Sequence, residues 1–213
     1  MLGEPHYLDT DHLAADVQLQ QFVQWCRGEH GNALSPYADR HRSFDLLLRE
    51  TTRRFPQPTV VETGVIRAEE DWPGAGFFTY LAGAYLAHRG GRLHAVDISP
   101  ENCAFARTWT SVFGETVQVH EQDSVAFLEQ FTEPIDVLYL DSLDTTEPGH
   151  AEHGLREAEA GLPRLHERSL IVFDDTPRNG GPWTGKGAKA VPHLLAQGWR
   201  VLYDGYQVIL ARA

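Results

Sequence analysis

Five acidic residues stand at or beside the carboxyl ends of segments that read as β-strands: Glu62, Asp97, Asp141, Asp174 and Asp175. Gly64, Gly74 and Gly76 follow the first of them, and a helical pattern (Phe77, Phe78, Leu81, Ala82, Tyr85, Leu86) then leads to the strand that delivers Asp97. Glycines at a helix N-terminus let backbone N–H groups approach a ligand, and a carboxylate at the tip of the next strand accepts hydrogen bonds from both ribose hydroxyls. That combination holds a nucleoside. Asp141, Asp174 and Asp175 are left over. Carboxylates gathered at one sheet edge repel each other unless a cation or hydroxyl donors offset them.

The elements that must position these acids alternate strand and helix. Thr59, Val60 and Val61 form a β-branched run, Gly90 and Gly91 close the first helix, and Leu93 to Val96 make the second strand, completing a right-handed βαβ unit. Ser99-Pro100-Glu101 opens the next helix with a serine cap and proline at its first position. Thr116 to His120 is a third strand, and Asp123 or Ser124 caps the helix after it. Ile135 to Leu140 is a nearly continuous apolar run, as expected of a strand buried on both faces, and Leu170 to Phe173 is another. Asp204-Gly205 between two final strands is a hairpin signal. The expected fold class is α/β: a Rossmann-like, doubly wound, mostly parallel sheet ending in an antiparallel C-terminal hairpin, with N-terminal helices. Residues 1–57 are expected to form a helical extension, including a helix from Asp11 through Cys26 and one from Pro36 to Arg54, and residues 58–213 the ligand-binding domain of a compact whole.

With Glu62-Thr63-Gly64 closing one strand and Asp97 the next, the chain resembles the class I S-adenosylmethionine-dependent methyltransferases. It departs from their glycine motif, because Val65 to Pro73, including Arg67 and Trp72, intervene before Gly74-Ala75-Gly76; that interrupted form is similar to a bacterial subset. The resemblance implies that Glu62, Gly64, Gly74, Asp97 and Ile98 contact S-adenosylmethionine, with Asp123 and Ser124 near its adenine, although Asp123 as a plain helix cap is an equal reading. An Asp ending strand four and an acidic pair ending strand five further resemble the metal-dependent O-methyltransferases of the catechol, caffeoyl-CoA and macrocin type. This implies that Asp141, Asp174 and Asp175 hold Mg²⁺ or Mn²⁺ for a small-molecule hydroxyl acceptor. In those enzymes a Lys or His often stands three residues after the first metal Asp as general base. Here that residue is Asp144, so His150 and His153 become the candidates, with Lys186 and Lys189 behind them. The N-terminal helices are expected to cover the cofactor, make a homo-oligomer contact, or merely cap the sheet edge.

The 213 residues carry a formal net charge of −12, which argues against a phosphate-backbone partner and hence against nucleic acid. A hydrophobic fraction of 42% and a charged fraction of 23% are those of a globular protein. No apolar run reaches membrane-spanning length, no basic-then-apolar leader opens the chain, and two cysteines make no disulfide framework, so a cytoplasmic protein is expected. Arg178 to Gly187, rich in Gly and Pro around Trp183, reads as a lid over the site or, equally, as a solvent-exposed connector. Two other functions share these features: an NAD-dependent oxidoreductase, disfavoured by the missing Gly-x-Gly-x-x-Gly and the terminal hairpin, and a non-catalytic nucleoside-binding module.

Overall fold

The computed structural model describes residues 38–68 and 77–212. The helix expected from Asp11 to Cys26 and the loop residues Trp72, Gly74 and Gly76 lie outside the described residues. One sheet contains β1 (Thr59–Thr63), β2 (Arg92–Asp97), β3 (Val117–Glu121), β4 (Ile135–Leu140), β5 (Leu165–Phe173), β6 (Trp199–Asp204) and β7 (Val208–Arg212). The order is β3-β2-β1-β4-β5-β7-β6, parallel from β3 through β5, with β7 antiparallel to both of its neighbours. This is the doubly wound sheet with a terminal antiparallel hairpin. Chain order reverses between β1 and β4, and an open α/β sheet takes its ligand beyond the carboxyl ends of its strands at such a point.

Among the described residues, six α-helices flank the sheet: α1 (Ala38–Arg54), α2 (Phe78–Arg89), α3 (Pro100–Thr110), α4 (Ser124–Gln130), α5 (His150–Gly161) and α6 (Ala190–Ala196). Successive strand residues point to opposite faces. Val60, Val137, Tyr139, Leu170 and Val172 therefore pack under α1 and α2, whereas Val61, Leu138, Leu140, Ile171 and Phe173 pack under α4, α5 and α6. This two-sided burial is why Ile135 to Leu140 reads as an unbroken apolar run. On the first face Phe78 stacks on Tyr139 at 3.8 Å between ring centroids, and Phe44 of α1 stacks on Phe78 at 5.7 Å. Helix α1 is thus part of the sheet's own core rather than a separate cover. Ser99 caps α3 as expected, its side chain accepting from the Asn102 N–H. At the hairpin, Gly205, Tyr206 and Gln207 separate the strands, and Gln207 is fully buried. No helix among the described residues is long and apolar enough to cross a membrane.

His94 on β2 is 5% exposed; its Nδ1 lies 3.1 Å from Nε2 of His120, and its other ring nitrogen is buried without a partner among the described residues. Burial first, then the charge of a protonated His120 and that of Arg92, depress its pKa from 6.5 to about 4, against a smaller opposing pull from Glu133. The unfolded chain therefore takes up this proton before the folded one. Stability should be intact above about pH 6.5 and fall as the pH drops toward 4. Urea midpoints measured at pH 7.5 and 5 should diverge less in His94→Phe than in the parent; equal divergence would remove His94 as the cause.

Candidate active site

Strand β1 ends at the reversal point, where Gly64 has φ +80° and a Cβ would meet the Asp141 carbonyl oxygen at 2.6 Å. Only glycine lets the ends of β1 and β4 approach this closely. One residue earlier, Glu62 is 3% exposed, and its Oε1 accepts from Thr79 Oγ1 at 3.0 Å. The same hydroxyl accepts from the Ile66 N–H at 3.1 Å, which ties the loop to α2. Glu62 Oε2 is buried and has no partner among the described residues. Burial raises the Glu62 pKa well above the usual carboxylate range, and the charges of Asp141 and Asp97 add to the effect against the Thr79 hydrogen bond. At the end of β2, Asp97 accepts from the Ser99 N–H at 2.8 Å, and Asn102 Nδ2 lies 3.4 Å and 3.3 Å from its two oxygens. Glu62, Gly64, Asp97, Asn102, Asp141 and Lys186 line one pocket.

The remaining expected cofactor residues sit differently. Ile98 is 71% exposed beside Asp97. Asp123 caps α4 by accepting from the Ala126 N–H at 2.9 Å, and Ser124 Oγ lies 3.2 Å from His153 Nε2. None of these three is among the pocket's lining residues. The expected bases are also elsewhere. His150 Nδ1 is 2.9 Å from the Glu147 carbonyl, and His153 Nε2 is 3.2 Å from Glu157 Oε1. The hydrogen bond that His153 donates to Glu157, partly opposed by burial, raises the pKa of His153. Glu157 accepts in turn from Ser142 Oγ at 2.7 Å. The first turn of α5 thus gives the expected bases His150 and His153 structural contacts, and neither is among the pocket's lining residues.

Asp141, Asp174 and Asp175 do converge, with one ligand atom from each lying within 4.8 Å of the others. Two cations already stand among them. Arg40 of α1 donates from Nε and Nη2 to Asp174 Oδ1 at 3.1 Å and 3.0 Å, and from Nη2 to Asp175 Oδ1 at 3.0 Å. Tyr139 OH donates to the other oxygen of the fully buried Asp174 at 2.9 Å, and Gln207 Nε2 donates to Tyr139 OH at 2.6 Å. Lys186 Nζ donates to the Asp141 carbonyl at 3.0 Å and to Asp141 Oδ1, and pairs with Asp175 Oδ2 at 3.0 Å. Burial alone would lower the pKa values of Arg40 and Lys186. For Arg40 it is outweighed by Asp174, with Tyr139, Asp141 and Asp175 adding to it; for Lys186, by Asp141, Asp175 and Asp174. Both cations end above their ordinary values. Burial and the charge of Asp174 push Asp141 well above the usual carboxylate range. Burial likewise disfavours the charge on Asp175, but Lys186, Tyr206 and Arg40 outweigh it and hold its pKa below the ordinary value.

All-oxygen carboxylate donors suit a hard divalent ion. Here, however, both oxygens of Asp174 are engaged, and the Lys186 ammonium fills the space between Asp141 and Asp175. As arranged, these residues do not fit a resident Mg²⁺ or Mn²⁺, although the expected ligands Asp141, Asp174 and Asp175 do come together.

The loop from Arg178 to Gly187 is what brings Lys186 here. Gly185 has φ +68°, and a Cβ on it would fall 1.7 Å from the Asp175 carbonyl oxygen. Gly187 N–H donates to Thr176 Oγ1 at 2.9 Å, and Gly154 of α5 leaves room for the Lys186 carbonyl. Asp175 itself has φ +44°, an uncommon backbone for a non-glycine residue that tends to occur at functional sites. Trp183 is not poised over the pocket: its Nε1 donates to Asp204 Oδ1 at 2.9 Å, and the Arg178 guanidinium lies 4.6 Å above its ring. The segment expected as a lid is packed in place through these contacts. Arg40 carried no signal in the sequence, and Lys186 was marked there only as a weak candidate base.

Residues 73–176 match the family model described as a methyltransferase domain. No curated protein matches the chain. Among solved structures, the calicheamicin methyltransferase CalS11 superposes with a TM-score of 0.60 at 14% identity, covering 94% of this chain and 89% of its own. The SAH-bound methyltransferase PaMTH1 of Podospora anserina superposes at 0.58 with 15% identity over the full length of both chains. The T. thermophilus 16S rRNA N2 G1207 methyltransferase, in complex with AdoMet and guanosine, gives 0.52 at 15% identity over 79% of this chain and 42% of its own. Residues 73–176 are thus similar to a methyltransferase domain, and the chain shares the fold of these solved methyltransferases.

Proposed function

We propose that this protein is an S-adenosylmethionine-dependent methyltransferase that methylates a hydroxyl of a small molecule. The observation that carries the reading is the pair at the ends of β1 and β2: Glu62, with one buried carboxyl oxygen lacking a partner among the described residues, and Asp97, held by Ser99 and Asn102 in the same pocket. Asp97 would accept hydrogen bonds from the two ribose hydroxyls. The free oxygen of Glu62 would accept from a donor on the cofactor, which removes the penalty of a buried unpaired group. The chemistry is an in-line displacement. The acceptor oxygen forms a bond to the methyl carbon, the carbon–sulfur bond breaks, and the sulfonium leaves as the neutral thioether of S-adenosylhomocysteine. The hydroxyl proton is lost to a pocket acceptor or to water. The protein's main task is alignment.

The acidic balance of the chain disfavours a polyanionic acceptor, and the Asp141 and Lys186 end of the pocket supplies polar groups for a compact polar one. S-adenosylhomocysteine should bind the purified protein with unit stoichiometry in calorimetry while NADH does not, and a panel of hydroxylated small molecules should include one that releases S-adenosylhomocysteine. Binding of NADH without S-adenosylhomocysteine would overturn the proposal in favour of an oxidoreductase.

A further inference from the structure

We infer that Lys186 holds the place of a divalent cation in the strand-end acidic cluster and acts as a positioning residue, presenting Asp141 to the acceptor with no metal present. An ammonium has three N–H donors. Those of Lys186 face the Asp141 carbonyl, Asp141 Oδ1 and Asp175 Oδ2. The group is 6% exposed, so it is built into the cluster rather than resting on its surface. Its approach is fixed from both sides, because Gly185 and Gly154 admit the backbone only without a Cβ.

The consequence falls on Asp141. Its Oδ1 is held by Lys186, whereas its Oδ2 has no partner among the described residues. The residue lines the pocket, with its side chain 25% exposed. The free oxygen can therefore accept from the acceptor's hydroxyl while Lys186 prevents the carboxylate from turning away. A metal would bind less well than the donor set suggests. With Arg40 and Lys186 both in place, the three carboxylates are already offset by two positive charges, and an added divalent ion would stand within a few ångströms of a buried ammonium.

Removing the ammonium should uncover the site. Titrated with Mn²⁺ and followed by electron paramagnetic resonance, the full-length parent protein should show no stoichiometric binding, whereas Lys186→Ala should bind Mn²⁺ at least tenfold more tightly. Lys186→Gln, which keeps a donor beside Asp141 without the charge, provides a second variant should the alanine protein not fold. Stoichiometric Mn²⁺ binding by the parent, or a folded variant that binds no better than the parent, would overturn the inference. The turnover arm rests on the methyltransferase reading. Parent activity should survive EDTA, and Lys186→Ala should lose at least tenfold in turnover and regain part of it with Mg²⁺, a rescue that a merely structural role for Lys186 would not produce. Loss of parent turnover in EDTA, or absence of rescue, counts against the inference. Failure of S-adenosylhomocysteine to bind the parent would instead sink the methyltransferase reading and leave the Mn²⁺ titration to decide this one.

Discussion

Asp174→Ala should destabilise the protein by about 3–5 kcal/mol, the range for removing one partner of a buried ion pair. Asp174 is fully buried, and Arg40, at 5% exposure, spends two donors on it. The substitution would also strip the acceptor from Tyr139 OH and the local acceptor from the Asp175 N–H. Because domains are stable by only about 5–15 kcal/mol, this single change should bring the protein close to unfolding. Urea denaturation gives the number directly. Adding Arg40→Met to the alanine variant should recover part of the loss, since the buried guanidinium that has lost Asp174 is then gone as well. A loss below about 1 kcal/mol, at the level of a surface ion pair, would show that α1 is not tied to the sheet through Arg40.

Asp97→Ala should weaken S-adenosylhomocysteine binding by about ten- to a hundredfold. Hydrogen bonds to a charged acceptor contribute about 1.5–3 kcal/mol, and about 1.4 kcal/mol is a tenfold change in affinity. Asp97 also orders the start of α3 through the Ser99 N–H and Asn102, so part of any loss could come from that turn. Asn102→Ala separates the two contributions, because it removes one brace and leaves the carboxylate. It should cost clearly less in calorimetry. Unchanged affinity in a folded Asp97→Ala protein would remove the ribose assignment.

Much of this arrangement was legible from local chemistry. β-branched and apolar runs marked β1, β2, β4 and the buried part of β5, and Ser99-Pro100 marked the start of α3, because strand alternation and helix capping act over a few residues. The acids at the strand ends were legible for the same reason: a parallel sheet places the carboxyl ends of adjacent strands side by side whatever the connecting helices contain. The sequence by itself thus determined the class of fold, the pocket edge occupied by Glu62, Gly64 and Asp97, and the meeting of Asp141 with Asp174 and Asp175. Which charges face those three acids was decided only by tertiary structure. Arg40 arrives from 134 residues before Asp174, on a helix whose rotation is set by Phe44 packing on Phe78. Lys186 arrives through a segment whose composition resembles a lid and whose course depends on close contacts at Gly154, Gly185 and Gly187. The spacing of His150 and His153 gives no indication of which way the first turn of α5 faces, and packing against α4 turned His153 toward Ser124. Residue type and local spacing specify which strand ends are acidic; the cations that offset them come from the packing of distant segments, which follows from total burial and from no local pattern.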